Sequence, residues 1–238
     1  MSAPELDLRH GHAARDIGEA ASRCFDLMIA IAALIVLSPV FLAVMAAIWI
    51  EGGRPLFFAQ VRLGRGGRPF VMYKFRKFAA ASGTDGCPLT VAGDMRLTAV
   101  GAFLAATKLD ELPQLWNVLR GDMAIVGPRP ESMAFADCFR GAFEHVLDFK
   151  PGLLGPSQIY FRNECRFYPA DADPTTFYRE VLFPAKARLD LAYFPHRTLA
   201  SDFALLVRGV LAVLGWAPAR SAAGDRAGPA DVRMPGHS

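Results

Sequence analysis

The sequence has few cysteines, and none of them stand in a paired spacing. The chain of 238 residues has no Cys-x-x-Cys pair and no histidine-rich stretch near its four cysteines, Cys24, Cys87, Cys138 and Cys165. This pattern argues against a zinc site and against a dense disulfide framework. We therefore expect reduced thiols on a cytosolic domain.

Charge is also scarce in this chain. Only 21% of the residues are charged and 53% are hydrophobic, with a mean hydropathy of +0.24. Ordinary soluble domains have about 25% charged and about 45–50% apolar residues, so the balance favours membrane contact. With this much apolar surface to bury, the chain is not disordered throughout. A polytopic transporter is not expected either, because most of the excess apolarity lies in one stretch.

That stretch covers residues 27–50, which contain no charge and only two residues that are not apolar, Ser38 and Pro39. As a helix these 24 residues would be about 36 Å long, against a hydrocarbon core of about 30 Å. A signal peptide fits poorly, since the run is long, begins late and has no small-residue cleavage site after it. A membrane segment is therefore preferred over a buried core helix.

The Ser38-Pro39 pair lies near the centre of the apolar run. Proline removes one backbone hydrogen bond and crowds the carbonyl of Ile35, so a kink is expected there. Ser38 can bond to a carbonyl one turn earlier and sharpen the bend. These properties allow either a kinked span or a re-entrant hairpin.

Both flanks of the apolar run are basic. Arg9, Arg15 and Arg23 precede it, and residues 52–77 contain no acid and seven basic residues: Arg54, Arg62, Arg65, Arg68, Lys74, Arg76 and Lys77. Positive flanks favour the cytoplasmic side of a membrane. We expect this charge to face anionic lipid rather than nucleic acid, and most of the chain to lie in the cytoplasm beside the membrane.

The rest of the chain indicates a small α+β domain that is mostly helical. Residues 57–75 predict a β-hairpin around a glycine-rich turn. Residues 97–107 predict a helix, and a second begins near Pro113, with Leu112, Leu115, Trp116 and Leu119 on one apolar face. Residues 203–215 fit either an interfacial helix or a core helix.

The segments between these elements are less regular. We expect a loop at 79–93, a shaped loop at 121–130, a helix at 131–149 and a turn at 150–152. The domain boundaries are then a flank at 1–22, a re-entrant membrane helix at 23–51, a cytoplasmic domain at 52–216 and a disordered tail at 217–238.

Two adjacent acids, Asp110 and Glu111, stand at the start of the second helix. Considered alone they fit a helix cap, because aspartate is favoured there and both carboxylates suit the positive end of the dipole. The surrounding residues 107–131, however, read TKLDELPQLWNVLRGDMAIVGPRPE. This block resembles the signature of the bacterial sugar transferases, the monotopic polyprenyl-phosphate phosphoglycosyl transferases that begin glycan assembly.

Other landmarks of that family follow in the same order along residues 20–215. They are the apolar Ser-Pro helix, the hairpin that ends in Tyr73-Lys74-Phe75-Arg76, the segment Lys150-Pro151-Gly152, and Leu189-Asp190-Leu191-Ala192-Tyr193-Phe194. No multi-span bundle precedes the apolar run, so the sequence looks like the minimal form of the family.

The resemblance implies transfer of a sugar phosphate from a UDP-sugar to undecaprenyl phosphate, with release of UMP and with Mg²⁺ present. It makes Asp110 the nucleophile, which forms an acyl phosphate, and Glu111 the neighbouring acid; either of the two is a candidate magnesium ligand. Downstream glycosyltransferases are possible partners.

Several basic and polar residues are candidate phosphate or sugar ligands. Arg129 lies between two prolines and suits bidentate phosphate contact, while Lys74 and Arg76 alternate around Phe75 and are expected on one face of a strand. The other candidates are Lys108, Arg96, Gln158 and, with weaker arguments, Arg162 and Asp122.

The chain departs from the family pattern at three places. Ala105 and Ala106 stand where relatives often have basic residues, and Lys108 is a candidate replacement for the missing charge. Asp94-Met95-Arg96-Leu97-Thr98 replaces the usual Asp-Pro-Arg-x-Thr, and Gly155-Pro156-Ser157-Gln158 replaces Gly-x-Trp-Gln. The two alanines leave open a catalytically inactive membrane scaffold, and the basic segment leaves open a membrane-tethered nucleic-acid binder.

The re-entrant topology can be tested by labelling. In a variant without the four native cysteines, single cysteines at positions 15 and 54 should both be protected from a periplasmic thiol reagent. The reason is that a bend at Ser38-Pro39 returns the chain to its own side, and both flanks carry positive charge. Labelling of one position and not the other would show a true span.

Overall fold

The fold is given by a computed structural model. It describes residues 3–79, 94–162, 164, 167–169, 171–213 and 216, with side chains from residue 18 onward. The expected loop, apart from its first residue, and the expected tail at 217–238 lie outside the described residues. So do Cys87 and Cys165, whereas Cys24 and Cys138 are free thiols.

The apolar run folds as two helices that meet at the predicted break. Helix α1 covers Ala3–Val36 and α2 covers Ser38–Gly52, with a bend of 60° between them. Pro39 lies in the first turn of α2, where its missing N–H costs no helical hydrogen bond. The Ser38 hydroxyl donates to the Ile35 carbonyl oxygen at 2.8 Å. The expected kink is confirmed.

Within the described ranges, no single helix has the length and apolar character needed to cross a membrane. The bent pair formed by Gly18–Val36 and Ser38–Gly52 meets these criteria of length and composition when its two arms are taken together.

The bent pair has one packed side and one open side. Ala30, Val44 and Ile48 are buried against the rest of the domain. The open side carries exposed apolar residues, Met28, Ile31, Ile35, Val36, Leu42, Trp49 and Ile50. A core helix would bury these side chains, because each large apolar group gains about 1.5–3 kcal/mol on full burial.

The predicted hairpin is confirmed. Strands β1 (Phe57–Leu63) and β2 (Pro69–Phe75) are antiparallel, with a register that runs from Phe57 opposite Phe75 to Leu63 opposite Pro69. Gly66 and Gly67 take φ angles of 65° and 72° in the connecting turn, a conformation that favours glycine. Because β2 ends at Phe75, Arg76 lies beyond the regular strand.

Helices α3 (Ala99–Thr107) and α4 (Gln114–Arg120) follow, joined by a 3₁₀ turn at Leu109–Glu111. The Thr98 hydroxyl caps α3 by accepting from the Gly101 N–H at 2.9 Å. Gly121 ends α4 with a φ of 89°.

The predicted apolar face of α4 is partly wrong. Leu115 and Val118 are buried, but Trp116 is 55% exposed and the polar Asn117 is fully buried. The reason is that α4 packs against α1 on one side and against β2 on another, so its buried surface is wider than a single row of apolar side chains. The Asn117 side chain forms hydrogen bonds with the backbone of β2: Nδ2 donates to the Val71 carbonyl oxygen at 2.7 Å, and Oδ1 accepts from the Tyr73 N–H at 3.1 Å.

Two further expectations are corrected. The shaped loop contains strand β3 (Ala124–Val126), which pairs in parallel with β4 (Gly152–Leu154) at the predicted turn. Strands of three residues with a partner far along the chain give no periodic signal. Residues 131–149 form 3₁₀ segments at Met133–Cys138 and Gly141–Asp148 instead of one helix, and Gly141, the first residue of the second segment, has a φ of 57°.

The C-terminal part is helical. It comprises α5 (Pro156–Tyr160), α6 (Pro174–Phe177), a π-helical turn at Tyr178–Leu182, α7 (Phe183–Tyr193), a 3₁₀ turn at Phe194–His196 and α8 (Leu199–Val213). Leu205 of α8 is buried while Phe203 and Val210 are exposed, so α8 both packs on the core and leaves an apolar face open.

Two polar residues of α1 bind it to the domain. The Arg23 guanidinium donates to the carbonyl oxygens of Val118 and Leu119 at 2.6 and 2.8 Å, which caps the C-terminal end of α4. Asp26 accepts from the Ile125 N–H of β3 at 2.8 Å. The bent helix pair is therefore fastened directly to α4 and β3.

Close packing at Gly101 yields a stability prediction. A methyl group there would overlap the carbonyl oxygen of Lys77, and such overpacking costs about 1–3 kcal/mol. Gly101→Ala should therefore lower the midpoint of thermal unfolding. Gly18→Ala is the matched control, because this helical glycine has open space around it and alanine is the better helix former. Equal midpoints for both variants would contradict the packing.

Candidate active site

Asp110 and Glu111 do not cap a helix. They lie in the 3₁₀ turn at Leu109–Glu111, and the residue at the N-cap of α4 is Pro113, where no side-chain cap is formed. Asp110 is only 3% exposed, and its Oδ1 atom is buried with no hydrogen-bond partner. The capping interpretation is wrong, because both carboxylates turn toward the interior.

Lys108 directs this turn. Its backbone is left-handed, with φ 63° and ψ 14°, which costs a residue with a side chain about 1–2 kcal/mol. The conformation ends α3 and reverses the chain just before the two acids. Glycine would take it more easily, yet this position carries a positive charge that acts on both Asp110 and Glu111.

Basic side chains from other elements surround the two acids. Lys74 Nζ lies 2.8 Å from Glu111 Oε1, and Arg129 Nη2 lies 3.3 Å from the same oxygen. Lys77 Nζ lies 3.8 Å from Asp110 Oδ2. The site thus brings the end of β2, the turn before α4 and the loop after β3 together at one point.

The two acids differ in their electrostatics. Burial opposes ionisation of Glu111, but Lys74 and Arg129 outweigh it and hold the pKa of Glu111 well below its usual range. Burial dominates at Asp110 and raises the pKa of that carboxyl, although Lys74 acts against it. The neighbouring positive charges therefore favour the ionised form of Glu111. At Asp110 they do not fully offset the effect of burial.

Two of the basic residues around this pair also line a narrow cleft. Its lining includes Met72, Lys74, Gln114, Arg129, Leu153 and Gln158. Gln158 Nε2 donates to the Gly152 carbonyl oxygen at 3.1 Å, and its Oε1 is buried without a partner. The predicted ligands Lys74, Arg129 and Gln158 therefore meet at one cleft, next to Asp110 and Glu111.

A buried carboxylate supports the segment that carries Gln158. Asp190 accepts from the Ser157 hydroxyl at 2.9 Å and from the Ser157 N–H at 3.3 Å. Burial raises the pKa of Asp190 to about 7, against the effect of these hydrogen bonds. Asp190 thus fixes the first turn of α5.

Four candidates are engaged elsewhere. Arg96 is paired with Asp94 at 2.6 Å, and the Arg162 guanidinium donates to the Val213 carbonyl oxygen. Asp122 is paired with Arg120 at 3.4 Å. Arg76 is buried beside Gly52, at the end of α2, with one nitrogen unpartnered. Lys74 contacts Glu111 whereas Arg76 lies against the end of α2, so the structure does not bring the Arg76 side chain to the two acids.

Sequence reasoning missed two residues of the site, Lys77 and Asn117. Lys77 belongs to the basic segment but falls outside the alternation of Lys74 and Arg76. Asn117 is a polar residue between apolar ones in a short helix. A polar residue at such a position indicates a buried side chain that makes specific hydrogen bonds.

The site offers few ligands for a metal. Among the described residues, no three or more His, Cys, Asp or Glu side chains are grouped in a way that could hold an ion. Mg²⁺ is nevertheless commonly bound by one or two carboxylates together with substrate phosphates. The adjacent carboxylates of Asp110 and Glu111 fit that mode of binding and do not fit an all-protein cage.

Two largely buried carboxylates among lysine and arginine side chains form a site that suits phosphate groups, because fixed cations stabilise the charge of phosphate oxygens. The sequence comparisons agree with this class. Residues 17–216 match the family described as bacterial sugar transferase. The chain belongs to the bacterial sugar transferase family.

Three relatives illustrate the similarity. The UDP-N-acetylgalactosamine-undecaprenyl-phosphate N-acetylgalactosaminephosphotransferase of Aeromonas hydrophila is 34% identical over 81% of this chain and 43% of its own length. The exopolysaccharide production protein ExoY of Sinorhizobium fredii is 33% identical over 84% of this chain and 88% of its own length. The UDP-glucose:undecaprenyl-phosphate glucose-1-phosphate transferase of Xanthomonas campestris is 33% identical over 90% of this chain and 43% of its own length. The chain thus spans less than half of two of these relatives and most of the third.

The strained backbone at Lys108 gives a test of its role. Lys108→Gly and Lys108→Ala both remove the charge, but only glycine relieves the left-handed strain, so the glycine variant should be more stable by about 1 kcal/mol. Chemical unfolding in detergent measures the difference. Both variants should bind inorganic pyrophosphate more weakly than the wild type, by a similar factor. Unchanged binding in both would show that the Lys108 charge is not part of the site.

Proposed function

We propose that this protein transfers a sugar phosphate from a UDP-sugar to undecaprenyl phosphate and so initiates synthesis of an exopolysaccharide, O-antigen or related glycan. The names of two relatives support both substrates, and the name of a third supports an exopolysaccharide product. The observation that carries the proposal is Asp110, whose Oδ1 has no hydrogen-bond partner beside a fixed anion and three basic side chains.

In the first half of the reaction, the Asp110 carboxylate attacks the phosphorus that bears the sugar. A bond forms between a carboxylate oxygen and phosphorus, the bond from phosphorus to the UMP oxygen breaks, and UMP leaves. The product is an aspartyl acyl phosphate that carries the sugar. A covalent intermediate divides one difficult displacement into two easier steps.

In the second half, an oxygen of undecaprenyl phosphate attacks the same phosphorus. The bond between phosphorus and Asp110 breaks, and its electron pair restores the carboxylate. The product is the sugar joined to the lipid through a diphosphate. Since UMP departs before the lipid reacts, the kinetics should be ping-pong.

The charges of the site suit this chemistry. Lys74, Lys77 and Arg129 carry three positive charges against the two negative charges of Asp110 and Glu111, so a diphosphate is attracted. Lys74 and Arg129 both line the cleft and can contact phosphate oxygens as these approach. Magnesium, held by Asp110 or Glu111 together with substrate phosphate, would neutralise charge on the leaving UMP.

We further propose that the bent pair α1–α2 lies in the cytoplasmic leaflet of the inner membrane as a monotopic, re-entrant anchor. Its exposed apolar side supports this location, as does the basic segment that follows it. Arg23 and Asp26 join the anchor to α4 and β3. A lipid substrate would therefore reach Asp110 without leaving the bilayer, and downstream glycosyltransferases would meet the product there.

The activity is tested by incubating the purified protein with undecaprenyl phosphate and a panel of UDP-sugars. Repeated turnover should require both lipid and Mg²⁺ and should identify the sugar, whereas without lipid at most one UMP per enzyme molecule should be released. Asp110→Asn should lower turnover at least about 1,000-fold, because an amide is a poor nucleophile. Asp171→Asn, at an exposed position, serves as the matched control.

Undiminished turnover in Asp110→Asn would overturn the mechanism. A folded wild-type protein that releases no UMP from any sugar in the panel would instead favour the inactive scaffold. Salt-dependent retention of DNA by the purified protein would favour the nucleic-acid binder.

A further inference from the structure

Lys77 lies just outside the sequence motifs of the site, yet its backbone is held firmly. Its carbonyl oxygen accepts from the Thr98 N–H at 3.1 Å, directly before α3. Gly101 lets α3 pack against this carbonyl, since a methyl group at that position would overlap it. The first turn of α3 therefore sets the position of Lys77.

The Lys77 side chain reaches toward the opposite end of α3. Its Nζ lies 3.8 Å from Asp110 Oδ2, and the two side chains are 19% and 4% exposed. Lys74 and Arg129 make their ion-pair contacts with Glu111 Oε1, although the Lys74 charge also acts on Asp110. Lys108 adds a more distant charge from the turn itself.

The two oxygens of Asp110 are consequently not equivalent. Oδ2 faces the Lys77 ammonium, whereas Oδ1 is buried without any hydrogen-bond partner. The Lys77 ammonium lies at ion-pair distance from Oδ2, beyond hydrogen-bond distance, and its attraction favours the orientation of the carboxylate in which Oδ2 faces it.

We propose that Lys77 is a positioning residue for Asp110, holding Oδ2 so that Oδ1 attacks phosphorus, and stabilising the carboxylate each time it is released. This inference rests on the proposed function.

The bond changes show what Lys77 should do in each half. When Oδ1 bonds to phosphorus and the UMP oxygen leaves, the carboxylate loses its charge and Oδ2 becomes the carbonyl oxygen of the acyl phosphate. When undecaprenyl phosphate attacks, the bond between Oδ1 and phosphorus breaks and its electron pair returns the charge to the carboxylate. An ammonium stabilises the free carboxylate more than the neutral carbonyl.

Removal of Lys77 should therefore shift the internal equilibrium toward the covalent enzyme. With a UDP-sugar labelled in the phosphate next to the sugar, Lys77→Met should raise the ratio of labelled to free enzyme at a fixed UMP concentration about tenfold, the effect of a charge contact of modest strength. Transfer of the label to undecaprenyl phosphate should slow by a similar factor.

Two further variants separate a positioning role from a structural one. Lys77→Arg keeps the charge and should return the ratio of labelled to free enzyme most of the way to the wild-type value. Arg140→Met removes one positive charge from an exposed position and should behave like the wild type. If Lys77→Met does not fold, Lys77→Gln keeps a polar chain end and should show the same shift.

The inference is overturned if the ratio of labelled to free enzyme stays at the wild-type value in Lys77→Met or Lys77→Gln. Equal slowing of labelling and transfer, with an unchanged ratio, would also overturn it, since that pattern is what a general loss of packing produces. Failure of the proposed function looks different: the wild type itself would not label, or Asp110→Asn would label as well.

Discussion

Asp110 and Glu111 are adjacent in sequence and largely buried, so their carboxylates repel each other and lose hydration. Basic side chains from other elements of the domain offset this unfavourable free energy. Strand β2 brings Lys74 to 2.8 Å from Glu111, and the loop after β3 brings Arg129 to 3.3 Å from the same oxygen. Without these contacts, two buried acids would favour protonation over charge. These contacts link the turn before α4 to the hairpin and to the loop that follows β3.

The two acids consequently acquire separate properties. Glu111 takes the strongest contacts and remains charged, while Asp110 keeps one oxygen without a partner. An enzyme that forms a covalent phosphate intermediate needs an oxygen of this second kind, and it needs neighbouring cations to receive the phosphate. The same cations that allow the acids to be buried are thus available to the substrate.

The bent helix pair is joined to the domain by apolar packing and by two polar anchors. Arg23 binds the carbonyl end of α4, and Asp26 binds the backbone of β3. Both lie just before the apolar run, so the segment proposed to enter the membrane begins where the catalytic elements are attached. Asn117 continues the connection by joining α4 to β2 through its side-chain amide.

Local signals were enough to predict the break at Ser38-Pro39, the hairpin with its glycine turn and the end of α4 at Gly121. The block that contains Asp110, Glu111 and Arg129 was enough to predict the family. Which charges meet could be read only from the folded chain. It showed that Asp110 does not cap a helix, that Trp116 is exposed while Asn117 is buried, that β3 and β4 are paired, and that Lys77 faces Asp110 while Arg76 turns to α2. The reason is physical: helix and turn signals arise from neighbouring residues, whereas an ion pair or a parallel strand pair depends on residues that only packing brings together.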